Sequence, residues 1–299
     1  MRLNVRSLVD AVSWQVRGPF AFSPLRELGF AVRELFQLPE VRARRAIART
    51  LDTDLAIDRE RGFVELGPVS TFDELCTIGS SIASGSVGTQ IGGKEFFRAR
   101  FSTDDERAPL LRAALDRRVL GAVARYLGTL PVIYEADYYC SVAHGPPWSK
   151  SQLWHCDDDG VRVVKLFIYC EDVTNDNGPF ELVDAGHSAV ARRAVRYRYA
   201  GRRYRVSDVA MDAHVARTDQ LALQGPRTSG FLIDTSSCFH RGSRIVSEDQ
   251  RRIAAIVTYV QPSARRLPLR LRDRTSPLVR FAPRFQDPIE RAVLGHPLI

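Results

Sequence analysis

The tetrapeptide Trp154-His155-Cys156-Asp157 carries the strongest chemical signal in the sequence. Side chains alternate between the two faces of a β-strand, so His155 and Asp157 would point the same way and Cys156 the opposite way. An imidazole and a carboxylate on one face are two of the three ligands of a facial metal site. We expect the third from His240, on a later β-rich run. Two histidines and one carboxylate leave three coordination positions open, which suits non-haem Fe(II) that binds a bidentate co-substrate and O2.

Arg251 follows His240 by eleven residues, at the start of the next β-rich run. A guanidinium that faces a barrel interior needs an anion, and its planar fork matches a carboxylate. The sequence therefore predicts a carboxylate-bearing co-substrate beside the metal. Two alternatives stay open: an accidental H-x-D match, which is common, and a cupin that binds Zn or Mn without an organic co-substrate. The second alternative leaves Arg251 unexplained.

The bulk composition is that of a globular protein. The chain has 299 residues, of which 44% are hydrophobic and 26% are charged, so it can bury a core without disulfides or structural metals. The sequence contains no apolar run long enough for a transmembrane helix and no signal-peptide pattern at its N-terminus. Its five cysteines are scattered and form no C-x-x-C pair. This pattern is typical of a reduced, cytoplasmic protein.

The net charge of +8 comes largely from two arginine-rich runs. Seven arginines and no acid lie within residues 192–205, and seven more lie within residues 265–284 against Asp273 alone. One interpretation is a pair of solvated faces. The other is attraction to phosphate, to anionic lipid or to an acidic carrier protein.

The hydrophobic pattern divides the chain in two. Residues 1–55 have helical periodicity and are expected to form a helical extension packed on the main domain, with an amphipathic membrane-surface element as the alternative. Residues 56–299 form the main domain, beginning with a strand at 61–69. The Gly- and Ser-rich residues 72–93 predict a mobile loop. Residues 105–128 predict one helix that ends at Gly128.

From Pro131 onward the period changes to that of short β-strands separated by Gly, Pro and Asn turns. Many short strands without interleaved helices are typical of a jelly roll or cupin barrel. The predicted fold class is therefore mainly β with flanking α: a double-stranded β-helix barrel, jelly-roll or cupin-like, with an N-terminal helical layer.

Taken together, the motifs resemble the phytanoyl-CoA dioxygenase family of Fe(II)/2-oxoglutarate oxygenases. The pieces that match are His155-Cys156-Asp157, the run VKLFIYCEDVTNDNGPFELVDAGHS, the run DTSSCFHRG, and Arg251 with its spacing from the distal histidine. The resemblance covers roughly residues 60–262. It implies that His155, Asp157 and His240 bind Fe(II), and that Arg251 binds the distal carboxylate of 2-oxoglutarate.

The activity implied by this resemblance is that of an oxidoreductase. Such a dioxygenase uses O2 and 2-oxoglutarate to hydroxylate an unactivated C–H bond. Halogenating relatives lack the metal-binding carboxylate, so Asp157 favours hydroxylation or desaturation. The resemblance also makes Tyr138, Lys150 and Gln152 candidates to touch 2-oxoglutarate. Ser243 is a further candidate, because Gly242 stands where family members often carry a hydroxyl residue.

Lys165 is unusual because it lies within an apolar strand. It either extends outward to solvent or faces a carboxylate in the site, since lysine is almost never buried without a partner. The sequence leaves both interpretations open.

The expected substrate is a small molecule. Members of the family that the chain resembles act on acyl-CoA thioesters, small amino-acid-like solutes and natural-product intermediates. If residues 192–205 cover the site, their arginines suit a phosphate- or carboxylate-bearing substrate, such as a CoA or carrier-linked chain. The alternative function is a non-catalytic cupin-like barrel that binds an anionic partner or a membrane surface through its basic runs. We do not expect nucleic acid as a partner, because no recognised nucleic-acid motif accompanies these runs.

Overall fold

The computed structural model describes residues 23–85, 89–90, 96–98, 101–143, 146–199, 204–242, 244–269, 271 and 278–299. These residues form a β-sandwich with flanking helices. The ten strands, in chain order, are β1 (Phe63–Pro68), β2 (Thr89–Gln90), β3 (Phe96–Arg98), β4 (Val132–Val142), β5 (Val163–Tyr169), β6 (Phe180–Val183), β7 (Gln220–Leu223), β8 (Ser229–Asp234), β9 (His240–Arg241) and β10 (Arg251–Val260).

Two antiparallel sheets result from the strand pairing. The larger has the order β1-β8-β5-β10-β4-β3-β2, and the smaller has the order β7-β6-β9. Apolar side chains from both sheets pack together between them, among them Phe167 and Phe231 from the large sheet and Leu182 from the small one. This arrangement confirms the predicted double-stranded β-helix fold with flanking helices.

The helices are α1 (Ser23–Phe36), α2 (Leu38–Ala48), α3 (Asp73–Gly85), α4 (Ala108–Ala114), α5 (Arg117–Leu127), α6 (Ala185–Ala194), α7 (Asp208–Asp212) and α8 (Pro288–Val293). Helices α3, α4 and α5 cover the outer face of the large sheet, where the main hydrophobic core lies. None of the helices in the described part of the chain has the length and apolarity that a membrane span requires.

The first two helices are attached to the β domain by buried arginines. Arg44 forms an ion pair of 2.7 Å with Glu40 and donates to the carbonyl oxygens of Pro131 and Ala292. Arg33 donates to the carbonyl oxygens of Ser263, Ala264 and Leu267. Residues 1–22 of the predicted helical extension lie outside the described residues.

The predicted loop over residues 72–93 is wrong over most of its length, because residues 73–85 form helix α3. Leu75 and Cys76 are buried against the sheet, so an apolar face outweighed the Gly and Ser content. Gly79 allows this helix to approach β4, since a Cβ atom there would lie 2.7 Å from the Tyr138 ring.

The predicted helix over residues 105–128 is divided into α4 and α5. Asp116 interrupts it by capping α5, where its side chain accepts hydrogen bonds from the backbone N–H groups of Arg118 and Val119. Gly128 ends α5 with a φ of 71°, the left-handed conformation that glycine adopts at low cost, as the sequence predicted.

Candidate metal centre and its cavity

His155, Asp157 and His240 converge between the two sheets. One ligand atom from each lies within 4.8 Å of the others, and both histidines are buried. The His155 N–H donates to the His240 carbonyl oxygen at 3.0 Å, and the His240 N–H donates to the His155 carbonyl oxygen at 2.9 Å. This backbone pair joins the His155 segment to β9. The sequence prediction that these three side chains meet is therefore matched by the geometry.

Both imidazoles are oriented by backbone carbonyls. Nδ1 of His155 lies 2.8 Å from the Leu153 carbonyl oxygen, and Nδ1 of His240 lies 3.1 Å from the Cys238 carbonyl oxygen. Since a carbonyl can only accept, each Nδ1 carries the proton and each Nε2 keeps its lone pair. The Phe180 ring stacks on His240 at 5.3 Å between centroids and restricts its rotation. Histidine ligands of metals are commonly oriented in this way.

The turn before β9 sets the position of His240. The buried Asp234 carboxylate accepts hydrogen bonds from the Tyr126 hydroxyl at 2.8 Å, and from the backbone and hydroxyl groups of Ser236 and Ser237. These contacts explain why the DTSSCFHRG run contains an acid and two serines: they close a turn that holds His240 at the site.

The protonation states at the site favour metal binding. Burial lowers the pKa of His240 to about 4 and lowers the pKa of His155 well below its ordinary value, so both imidazoles are neutral near pH 7. Burial opposes ionisation of Asp157, but the charge of Lys165 and, at low pH, of the protonated imidazoles outweighs it and holds the pKa of that carboxyl well below its usual range. Neutral imidazoles and an ionised carboxylate are the forms that bind a divalent cation.

Lys165 faces the site, which resolves the ambiguity that the sequence left. Its Nζ lies 2.8 Å from Asp157 Oδ2. Its neighbours in the sheet are Ile233 on β8 and Thr258 on β10. An ammonium group at this position stabilises the ionised carboxylate of Asp157.

A cavity of about 410 Å³ opens onto the three ligands. Its wall is strongly charged: the cations Arg98, Lys165, Arg205, Arg252 and Arg266 line it, together with the acids Glu135, Asp157 and Asp159. Its volume lies within the range of small-molecule sites.

Arg251 does not line this cavity. Its side chain is 43% exposed and pairs with Glu171 at 2.8 Å. The side chain of the next residue, Arg252, is buried and lines the cavity, where it donates to the Gly178 carbonyl oxygen at 2.5 Å. Adjacent residues of a strand face opposite ways, so Arg252 faces the cavity and the predicted Arg251 faces away from it.

Tyr138, like Arg251, faces away from the cavity. It packs in the core between the large sheet and the helices, 5.6 Å from the Phe101 ring, and it does not line the cavity. Tyr139 and Ser141 face the cavity instead. Because Ser141 is the β4 partner of Arg252, the two strands present these polar side chains on the same face.

The remaining predicted residues are placed outside the cavity wall or outside the described residues. Lys150 is exposed. Gln152 is buried, and its side chain accepts a hydrogen bond of 3.2 Å from the Ser149 N–H as part of a capping box. Ser243 lies outside the described residues, whereas Gly242 and Ser151 line the cavity.

Sequence reasoning did not single out several side chains at the cavity, among them Arg205, Arg252 and Thr258. The Thr258 hydroxyl is buried, and within the described residues it has no hydrogen-bond partner. Side-chain alternation along β10 places Thr258 and Ile256 on the same face as Arg252. Knowledge of the register of this strand would therefore have identified Arg252 and Thr258.

Neither the protein-family models nor the curated proteins include a match to this chain, so the resemblance to the phytanoyl-CoA dioxygenase family stays a prediction. Several solved structures are similar. EctD from S. alaskensis, crystallised with 2-oxoglutarate and 5-hydroxyectoine, is 17% identical with a TM-score of 0.49; the match covers 72% of this chain and 77% of EctD. SnoN, an α-ketoglutarate-dependent non-haem epimerase from nogalamycin biosynthesis, is 11% identical with a TM-score of 0.47, covering 72% and 83%.

A third similar structure is EvdMO1, which is 16% identical with a TM-score of 0.45. The match covers 68% of this chain and 48% of EvdMO1, so this chain aligns with about half the length of that protein. With every one of these TM-scores below 0.5, the fold assignment rests on the strand order and register of this chain.

Proposed function

We propose that this chain is an Fe(II)- and 2-oxoglutarate-dependent dioxygenase that hydroxylates a C–H bond of a small-molecule substrate. The observation that carries the proposal is the convergence of His155, Asp157 and His240, with each histidine Nδ1 held by a backbone carbonyl. Similar structures bind such ligands: EctD was crystallised with Fe and with 2-oxoglutarate, and HygX with nickel and 2-oxoglutarate.

The donor set fits a divalent iron. Two imidazole nitrogens and one carboxylate oxygen are ligands that Fe(II) accepts, and the set leaves open positions. Bound iron with 2-oxoglutarate would supply O2 activation coupled to oxidative decarboxylation of the co-substrate. The role of the protein is to keep both histidines neutral, to keep Asp157 ionised and to limit solvent access through the buried position of the ligands.

The cavity also fits 2-oxoglutarate, a dicarboxylate. Arg252 offers a buried guanidinium to the distal carboxylate, and the buried Thr258 hydroxyl lies on the same face of β10. A planar guanidinium fork matches a carboxylate better than an ammonium does. Arg252 therefore replaces Arg251 in this role.

The non-catalytic alternative loses part of its support in the second basic run. Its described arginines pair with carboxylates rather than forming a free cationic face: Arg265 with Asp158 at 2.6 Å, Arg266 with Asp159 at 2.5 Å, and Arg280 and Arg284 with Asp104 at 3.1 and 3.3 Å. A barrel that only binds an anionic partner has no need of a preorganised set of metal ligands.

Turnover of the co-substrate tests the proposal without knowledge of the substrate. We expect the purified protein, supplied with Fe(II), O2 and ascorbate, to convert 2-oxoglutarate slowly to succinate. Asp157→Asn should abolish this conversion, whereas Asp176→Asn, at an exposed position, should leave it unchanged. Metal binding without succinate formation, in the presence or absence of candidate substrates, would favour a cupin that uses another chemistry.

A further inference from the structure

We propose that Arg205 binds an oxyanion group of the primary substrate, a carboxylate, sulfate or phosphate, in the metal cavity. The inference rests on the proposed function and specifies the substrate class of the same site. It assigns the charge recognition to one residue of the first basic run rather than to the run as a whole.

Arg205 lies close to the metal ligands because of local backbone pairing. The next residue, Val206, forms an isolated β-bridge with Trp154, directly before His155. The preceding residue, Tyr204, places its ring 6.0 Å from the His155 ring. The Arg205 guanidinium lies over the Tyr204 ring at 4.2 Å and lines the cavity. An anion at Arg205 would therefore bind beside the metal, on the His155 side.

Arg205 differs from the other cations of the cavity in its partners. The others are held by groups of the protein: Arg98 by Glu135, Arg266 by Asp159, Lys165 by Asp157, and Arg252 by the Gly178 carbonyl. Nη1 of Arg205 is buried, and among the described residues no hydrogen-bond acceptor reaches it. A buried donor without an acceptor is costly, and a guanidinium gains most from an anionic acceptor.

The rest of the first basic run does not share this geometry. Arg192 points into the fold, where it donates to the Ser237 carbonyl oxygen and lies 3.8 Å from Cys156 Sγ. Arg193 and Arg196 are exposed, and Arg202 and Arg203 lie outside the described residues. Among the described arginines of the run, Arg205 alone lines the metal cavity.

The test uses inorganic phosphate as the probe and a paramagnetic metal as the reporter. The full-length protein is loaded with Mn(II) and saturated with 2-oxoglutarate, and the phosphorus NMR line of phosphate is followed. We expect saturable broadening for the parent, because phosphate at Arg205 lies near the metal. Arg205→Gln should require at least about tenfold more phosphate for the same broadening. Arg205→Lys should recover part of the loss, and Arg193→Gln should match the parent.

Three results would overturn the proposal: no saturable broadening for the parent, equal broadening for Arg205→Gln, or a tenfold weaker affinity of Arg205→Gln for 2-oxoglutarate, which would make Arg205 a co-substrate ligand. Failure of the proposed function has a different signature, since 2-oxoglutarate would then fail to bind the parent loaded with metal. Displacement of phosphate by sulfate or by acetate supports an oxyanion site and ranks the tetrahedral anions against the carboxylates.

Discussion

The two faces of β4 and β10 have opposite chemistry although they belong to the same two strands. On the face toward the helices, Ile253, Ala255 and Val257 are buried in the main core. On the face toward the small sheet, Arg252 and Thr258 line the metal cavity. A shift of one residue along either strand would exchange a core side chain for a site side chain.

This contrast shows how the fold supports the site. The apolar face fixes the register of the strands, because a slip would bury charges among the helices. The fixed register then holds the polar face in place opposite β9 and the His155 segment. Core packing on one side therefore fixes the positions of the cavity-lining side chains on the other.

The largest effect is expected from a substitution on the core face. Tyr138→Ala should reduce the free energy of unfolding by about 3–5 kcal/mol, because it removes a fully buried ring. Urea unfolding measures the loss. Tyr138→Phe should be nearly neutral, since the Tyr138 hydroxyl is buried and has no hydrogen-bond partner within the described residues. A tenfold loss of 2-oxoglutarate affinity in Tyr138→Phe would return this residue to the site.

The neighbouring arginines of β10 provide the sharpest test of the cavity face. Arg252→Gln should weaken 2-oxoglutarate binding about 100-fold, because the charge-assisted pair with the carboxylate is lost. Arg251→Gln, whose side chain pairs with Glu171 at the surface, should stay within about twofold of the parent. Titration of the metal-loaded protein with 2-oxoglutarate measures both. The opposite ranking would show that the register places Arg251 in the cavity.

A smaller effect is expected at Lys165, which connects the cavity face to the metal ligands. In the metal-free protein, Lys165→Met removes the cation 2.8 Å from Asp157, so the free energy of unfolding should fall by about 1–3 kcal/mol. Saturating Mn(II) should reduce this difference, because the metal then provides the positive charge. Urea unfolding with and without Mn(II) measures it, with Lys150→Met as the exposed control. If Lys165→Met lowers the free energy of unfolding by the same amount with and without Mn(II), the ion pair between Lys165 and Asp157 is contradicted.

In the metal-free protein, the pH dependence of the free energy of unfolding should reflect protonation of the buried histidines. The pKa of His240 is about 4 in the folded protein against an ordinary value of 6.5, so the unfolded chain binds more protons between these values. The free energy of unfolding should therefore fall as the pH drops through this window, by about 1 kcal/mol per pH unit for each histidine. His240→Gln should flatten the slope. A parent stability that rises on acidification would contradict this assignment.

The sequence was sufficient to predict which three side chains converge in the candidate metal centre, because their spacing is informative. His155 and Asp157 are two positions apart, which places them on one side of an extended segment, and His240 follows in a β-rich run. The fold class was also predictable, since short strands separated by turn residues leave few alternatives.

The two side-chain assignments that failed on the strands both fell within pairs of identical residues. Tyr138-Tyr139 and Arg251-Arg252 each offer the same chemistry at two adjacent positions. Motif spacing cannot distinguish the members, because only the register of β4 against β10 decides which one faces the cavity. The sequence could not distinguish Arg205 for a related reason. It is one arginine of a basic run, and it differs from the others only in its tertiary contacts.

The most direct test of the account is an anaerobic titration of the metal-free protein with Fe(II), with and without 2-oxoglutarate, followed by visible absorbance. We expect one Fe(II) per chain, and a weak charge-transfer band that requires 2-oxoglutarate. The band should be absent in Asp157→Ala and should need far more 2-oxoglutarate in Arg252→Gln. Iron binding without the band, or a band of equal strength in Asp157→Ala, would contradict the proposed metal centre.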